Sequence, residues 1–150
     1  MSRTYAIADL HGRFDLLCKA IDMIETDARE DGGRLIILGD FVDRGPQSRN
    51  IIDLLMAGPQ RPNWEWTVLQ GNHEAMMLVT LATPTPELLR WWVGNGGGQT
   101  LQSYGYAQGD NLTPLRVPGE HLKWLAELPI VVEDKAGVWQ DEWGVLYRED

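Results

Sequence analysis

Cysteine is nearly absent. Cys18 alone, in 150 residues, leaves no disulfide within the chain to staple it. A lone thiol fits a reducing compartment, so a cytoplasmic location is expected. Long apolar runs are also missing. Stretches such as Leu35–Leu38 and Met76–Val79 fall far short of the roughly 20 residues a membrane span needs, so no membrane partner is expected. The opening Met1-Ser-Arg-Thr-Tyr lacks the apolar core of a secretory signal, and no leader is expected. Basic residues are scarce: 13 Lys and Arg stand against 22 Asp and Glu, a net charge of −9. Such a surface repels a nucleic-acid backbone and excludes broad electrostatic binding to DNA or RNA. A small phosphorylated ligand stays open, because metal ions or local groups can reverse the field inside a cleft. Most of the carboxylates read as solvated surface.

What is present suffices for one core. Apolar residues make up 43% of the chain, and residues 1–150 read as one domain, with no repeat and no dividing linker. The pattern is α/β. Tyr5–Ala8, Leu35–Leu38 and Trp66–Leu69 predict short buried strands. Phe14, Leu17, Cys18, Ile21 and Ile24 recur at helical spacing, with Cys18 a packed core thiol rather than a nucleophile. Ser48–Ala57 predicts a second helix, with Ser48 as its cap and Gly58-Pro59 as its stop. Glu74–Leu81 predicts a third. Pro86 opens a further helix that runs through Trp91 and Trp92 into Asn95-Gly-Gly-Gly, read as a turn or flexible loop. The two tryptophans are read as core packing. The glycine run lacks the strand and helix that flank a phosphate-binding loop. Pro118–Glu127 predicts another helix, with Leu122, Leu125 and Ala126 facing inward. Ile130–Val132 predicts a strand. Strands alternating with helices imply a mainly parallel sheet.

The chemistry lies where the three strands end. The first runs into Asp9-Leu10-His11-Gly12, the second into Gly39-Asp40-Phe41-Val42-Asp43-Arg44-Gly45, the third into Gly71-Asn72-His73-Glu74. In an open α/β sheet, ligands bind beyond the carboxyl ends of the strands. Asp9 and His11, two apart, would point to the same side of an extended segment. Mixed oxygen and nitrogen donors suit Mn, Fe or Zn better than Ca. Each cluster alone has a plain structural reading: a cap, the start of a helix, a surface ion pair. Three in order, each after a buried strand, are hard to explain that way.

These blocks resemble, in order, the three signature blocks of the calcineurin-like metallophosphoesterases, and within them the bacterial serine/threonine protein phosphatase and diadenosine tetraphosphatase branch. The likeness runs from about Tyr5 to Asp134. It includes Trp92-Val-Gly-Asn-Gly-Gly, Thr100-Leu-Gln-Ser-Tyr-Gly and His121-Leu-Lys-Trp-Leu-Ala-Glu-Leu-Pro. It implies a β-sandwich flanked by helices. It also implies roles: Asp9 and His11 on a first metal, Asp40 bridging two, and Asn72 on the second metal and near the phosphate. His73 would be the general acid, oriented by Asp43, and Arg44 would clamp the phosphate. A metal-bound hydroxide would attack phosphorus directly, with Mn the expected metal and Fe or Zn the alternatives.

The chain also departs from that pattern. The family places two further histidines on the second metal, from the C-terminal half. Here only three histidines exist, and His121 reads as a surface residue of its helix. Lys135-Ala-Gly stands where a His-Ala-Gly block is sought, and residues 135–150 read as a divergent tail. The second metal site and the second sheet are therefore expected to be incomplete. An uncovered sheet face would favour homo-oligomers, unless Trp139, Trp143 and Tyr147, spaced four apart, form a helical stripe that covers it. Three activities stay open: hydrolysis of a phosphoserine or phosphothreonine monoester in a phosphorylated protein, symmetrical hydrolysis of a dinucleoside tetraphosphate, or a weakly active metal- and phosphate-binding remnant.

Overall fold

The computed structural model describes residues 3–134 and 137–140. The chain alternates β1 (Arg3–Ile7), α1 (Phe14–Ala28), β2 (Gly33–Ile37), α2 (Ser48–Ala57), β3 (Trp64–Val68) and α3 (Asn72–Ala82). There follow α4 (Pro86–Trp92), a wide turn at Val93–Gly97, α5 (Gly98–Ser103), α6 (Gly119–Glu127), β4 (Val131–Asp134) and β5 (Gly137–Gln140). The architecture is α/β, as the sequence pattern requires.

The three N-terminal strands form a parallel sheet in the order β1-β2-β3. Tyr5 pairs with Leu35, and Leu35 with Trp66. Each crossover carries one helix, the connection that parallel neighbours demand. Leu35 and Ile37 of the central strand join Leu17, Ile51, Ile52, Leu55 and Met77 in one buried core. Of these three strands β2 is the most buried, with Arg34 alone half-buried. Among the described residues β1 is an edge strand, with Arg3, Thr4 and Ala6 exposed and Tyr5 and Ile7 half-buried. The buried strand predicted at Tyr5–Ala8 is thus a half-buried edge, because an apolar run of four does not reveal whether one face or two are covered.

Backbone pairing continues past the strand ends and draws the site loops together. The His11 amide donates to the Asp40 carbonyl (3.0 Å), Gly12 to Phe41 (2.9 Å) and Leu69 to Ile37 (2.8 Å). Gly12 sits at φ 68°, and a Cβ there would lie 2.4 Å from the Gly45 carbonyl oxygen. Only glycine allows the first and second loops to approach this closely.

Several local expectations need correction. Ser48 does not cap its helix by side chain; Gln47 holds the cap position, and the Ser48 hydroxyl faces Asp43 instead. Asn95-Gly-Gly-Gly is neither a loose loop nor a reverse turn. It is a helical turn broken at Gly96 (φ 106°) that leads directly into α5. On α6, Leu125 is buried but Ala126 is exposed. The inward position belongs to His121, 4% exposed, whose ring contacts Tyr104 Oη through Nδ1 (2.9 Å) and Asp53 Oδ1 through Nε2 (3.2 Å). The surface histidine of the sequence reading is therefore a buried, hydrogen-bonded core residue. Trp139 lies in β5, antiparallel to β4, so it starts no helical stripe. Lys135, Trp143 and Tyr147 lie outside the described residues.

Gly12→Ala should lower stability by about 1–3 kcal/mol, the usual effect of overpacking, read as a drop in urea midpoint at unchanged m-value.

Candidate active site

The three loops meet at one end of the sheet, and their backbone is unusual there. Among the described residues, six non-glycine positions have positive φ, and five are Asp9, His11, Asp40, Asp43 and Arg44. Left-handed conformation is tolerated by Asp and His but disfavoured for Arg. Strain of this kind persists only where surrounding structure over-determines it, and it gathers at functional sites. It also corrects the expectation for Asp9 and His11. They do not sit on an extended segment, because β1 ends at Ile7 and the chain then turns left-handed.

Glu74 supplies the over-determination. It is fully buried and accepts four backbone amides: Asp40 (2.9 Å) and Gly71 (2.8 Å) on Oε2, Phe41 (2.9 Å) and Val42 (3.0 Å) on Oε1. Burial pushes its carboxyl up to about 7, against the pull of those amides. The sequence reading assigned it no role. The signal was there: a glutamate three residues after Gly71 is the inner half of a capping box. Its second oxygen reaches across to the neighbouring loop, which spacing alone does not reveal.

Asp43, also 0% exposed, is the second buried carboxylate. Its Oδ2 accepts from His73 Nδ1 (2.8 Å) and Trp92 Nε1 (2.9 Å), and its Oδ1 from Thr100 Oγ1 (2.7 Å). The pairing expected of Asp43 and His73 is present. Burial disfavours the charged imidazole of His73, but the hydrogen bond and charge of Asp43, aided by Asp40, outweigh it and raise the ring above its ordinary value. Donation from Nδ1 leaves Nε2 facing the cleft.

Asp40, 1% exposed, differs from both. Its Oδ1 accepts the His73 amide (3.0 Å), but its buried Oδ2 has no hydrogen-bond partner among the described residues, and neither has Asn72 Oδ1. Buried oxygens in that condition are costly unless something satisfies them. His11 donates Nδ1–H to the Val42 carbonyl (3.0 Å), the outer contact that fixes a ligating imidazole and frees Nε2. The donor chemistry thus fits a divalent cation, although no three His, Cys, Asp or Glu among the described residues already stand grouped around a metal position. Asp9 is exposed and forms no hydrogen bond or ion pair with the others.

Arg44 reaches between the two imidazoles, Nη1 3.1 Å from His11 Nε2 and Nη2 3.3 Å from His73 Nε2. The rings stand edge-on, 4.8 Å apart. A polar cavity of about 350 Å³ opens beside Arg44, lined by Asn95, Gly96 and Gln99. An exposed guanidinium thus stands beside the two imidazoles in a chain that is acidic overall.

One carboxylate braces the loops, one is hydrogen-bonded to a histidine and one keeps a free buried oxygen, a set able to take a divalent cation beside a proton donor. Comparison with known proteins gives the family. The family model for calcineurin-like phosphoesterase matches residues 2–146, and the chain belongs to that family, whose members generally use divalent metals. Serine/threonine-protein phosphatase 1 of Salmonella typhimurium is 36% identical over 93 residues, 62% of this chain and 38% of that protein. Serine/threonine-protein phosphatase 2 of Escherichia coli is 33% identical over 94 residues, with the same coverage. A symmetrical bis(5'-nucleosyl)-tetraphosphatase of Legionella pneumophila is 32% identical over 74 residues, 49% of this chain and 25% of that protein. Among solved structures, a mutant of a cold-active protein tyrosine phosphatase superposes on 64% of this chain and 34% of its own, at TM-score 0.41 and 23% identity. The chain therefore matches well under half the length of these relatives. No helix among the described residues is long and apolar enough to cross a membrane.

The raised native value of His73 fixes the sign of a pH effect. In metal-free protein the His73–Asp43 pair stabilises the fold fully below about pH 6.5, the ordinary imidazole value. That stabilisation is lost as pH rises through the native value. The gap in urea midpoint between wild type and His73→Asn should therefore be wider at pH 6 than at pH 9.

Proposed function

We propose that this chain hydrolyses phosphomonoesters of the phosphoserine or phosphothreonine type in cytoplasmic proteins, with Mn as the metal. The carrying observation is the buried Asp43–His73 pair beside the unpartnered oxygens of Asp40 and Asn72. The longer likeness to the two serine/threonine phosphatases supports the choice of substrate.

Asp9, His11, Asp40 and Asn72 would hold the metal. When bound, divalent ions neutralise phosphoryl oxygens and make water a nucleophile at neutral pH. Arg44 binds the phosphate. Its planar fork matches two phosphate oxygens, and it exchanges its contacts with His11 and His73 for them when the dianion enters. Water adds its oxygen to phosphorus, and the bond to the serine or threonine oxygen breaks. That oxygen takes the proton from His73 Nε2, while Asp43 keeps Nδ1–H in place and stabilises the charged ring before transfer.

The tetraphosphatase likeness favours a second reading, cleavage of a dinucleoside tetraphosphate. Parallel assays on a phosphoserine peptide and on diadenosine tetraphosphate decide between them. Turnover of neither substrate with added manganese, alongside retained metal binding, would leave the non-catalytic remnant.

His73→Asn should lower turnover of the preferred substrate by about 10²–10⁴-fold. The loss should be smaller for nitrophenyl phosphate, whose leaving oxygen needs little protonation, and metal content should not change. Loss of the metal, or equal damage to both esters, would remove His73 from the acid's role.

A further inference from the structure

The Trp92–Thr100 segment, with its glycine run, has no part in the reaction as described above. Yet it makes the second set of contacts to Asp43 and Arg44, beside those from His73 and His11. Trp92 is fully buried, and its Nε1–H lies 3.1 and 2.9 Å from the two oxygens of Asp43. Thr100, equally buried, donates its hydroxyl to Oδ1 (2.7 Å) and accepts the Asp43 amide (2.9 Å). Asp43 can then offer His73 only Oδ2, at one angle. A carboxylate bound to the imidazole alone would be free to turn and offer either oxygen.

The glycines between these two residues have separate reasons. Gly97 lies under the indole: a Cβ there would stand 2.5 Å from Trp92 Cδ2. Gly96 has φ 106°, and its carbonyl accepts the amide of Arg44 (3.0 Å). A Cβ at Gly96 would lie 2.6 Å from Arg44 Cγ and 2.7 Å from its backbone nitrogen. Left-handed Arg44 therefore leans on a surface that only glycine can provide. One short stretch of chain fixes both the residue that orients the acid and the residue proposed to bind phosphate.

We propose that Trp92 and Thr100 are positioning residues of the site, holding the Asp43 carboxylate in the one orientation that aims His73 at the leaving oxygen, with Gly96 setting Arg44 alongside. The inference rests on the hydrolase reading for its catalytic consequence, but its geometric part stands without it. A purely structural role for the pair predicts loss of stability with no change in the His73 ring.

The test compares Thr100→Val, which keeps the shape and removes the hydroxyl, with Thr100→Ser, which restores it, and adds Trp92→Phe. The full chain is used throughout. The first readout is the Nδ1–H proton of His73 by NMR in metal-free protein, assigned by its absence in His73→Asn. The second is kcat and KM on the preferred phosphoester and on nitrophenyl phosphate. We expect the downfield, carboxylate-bound His73 signal unchanged between wild type and Thr100→Ser, and shifted and broadened in Thr100→Val and Trp92→Phe. Turnover of the unactivated ester should fall about 10- to 100-fold, the scale of a misplaced catalytic group, with little change in KM, and less for nitrophenyl phosphate. An unchanged His73 signal in Thr100→Val, or an equal change in Thr100→Ser, would overturn the inference. Should Trp92→Phe not fold, the two Thr100 variants decide alone. A wild type inactive on every phosphoester would defeat the hydrolase reading, while the NMR comparison would still decide this one.

Discussion

The carboxylate of Glu74 is the interaction on which the site depends. It has no solvent exposure, and it gathers three consecutive amides of the second loop and one of the third. Burying a carboxylate costs several kcal/mol unless hydrogen bonds offset it. Four amide donors make that offset and in doing so pin the backbone of Asp40, Phe41 and Val42 to the first turn of α3. That pinning sustains the left-handed φ at Asp40, while Ser48 and Thr100 hold the Asp43 amide and the Gly96 carbonyl holds that of Arg44.

The acidic residues of the site therefore differ by environment rather than by type. Glu74 faces only backbone amides and braces the loops. Asp43 faces an imidazole, an indole and a hydroxyl, and so fixes a ring. Asp40 gives one oxygen to the His73 amide and keeps the other free. Net charge says little about this, since the chain carries −9 overall while Arg44 sits at the mouth of the cleft. Local groups, not the total, set the field that a ligand would meet there.

Much of this was legible in the sequence because it is local. Strand, glycine-rich turn and helix recur three times, and each turn carries its chemistry at a fixed offset. The Asp43–His73 pair followed from the resemblance and is present at 2.8 Å. What stayed hidden depends on contacts across the chain. How far β1 is buried depends on which distant segments pack on it, and an apolar run does not reveal that. Ser48 looked like a helix cap, and its hydroxyl instead meets the Asp43 amide and Thr100. His121 looked polar and therefore exposed, but Tyr104 and Asp53 satisfy both ring nitrogens and let it enter the core. The glycine run looked mobile because glycine permits many conformations. Here close approach by Arg44 and Trp92 selects one.

Equilibrium binding of manganese, followed by the EPR signal of the free ion, tests most directly whether these loops form a metal-assisted site. One ion should bind tightly per chain if Asp9, His11 and Asp40 take the metal-binding roles proposed for them. A second should bind weakly or not at all. Asp40→Ala should abolish the tight site without unfolding the protein. Absence of tight binding to the wild type, or full retention of it in Asp40→Ala, would contradict the account.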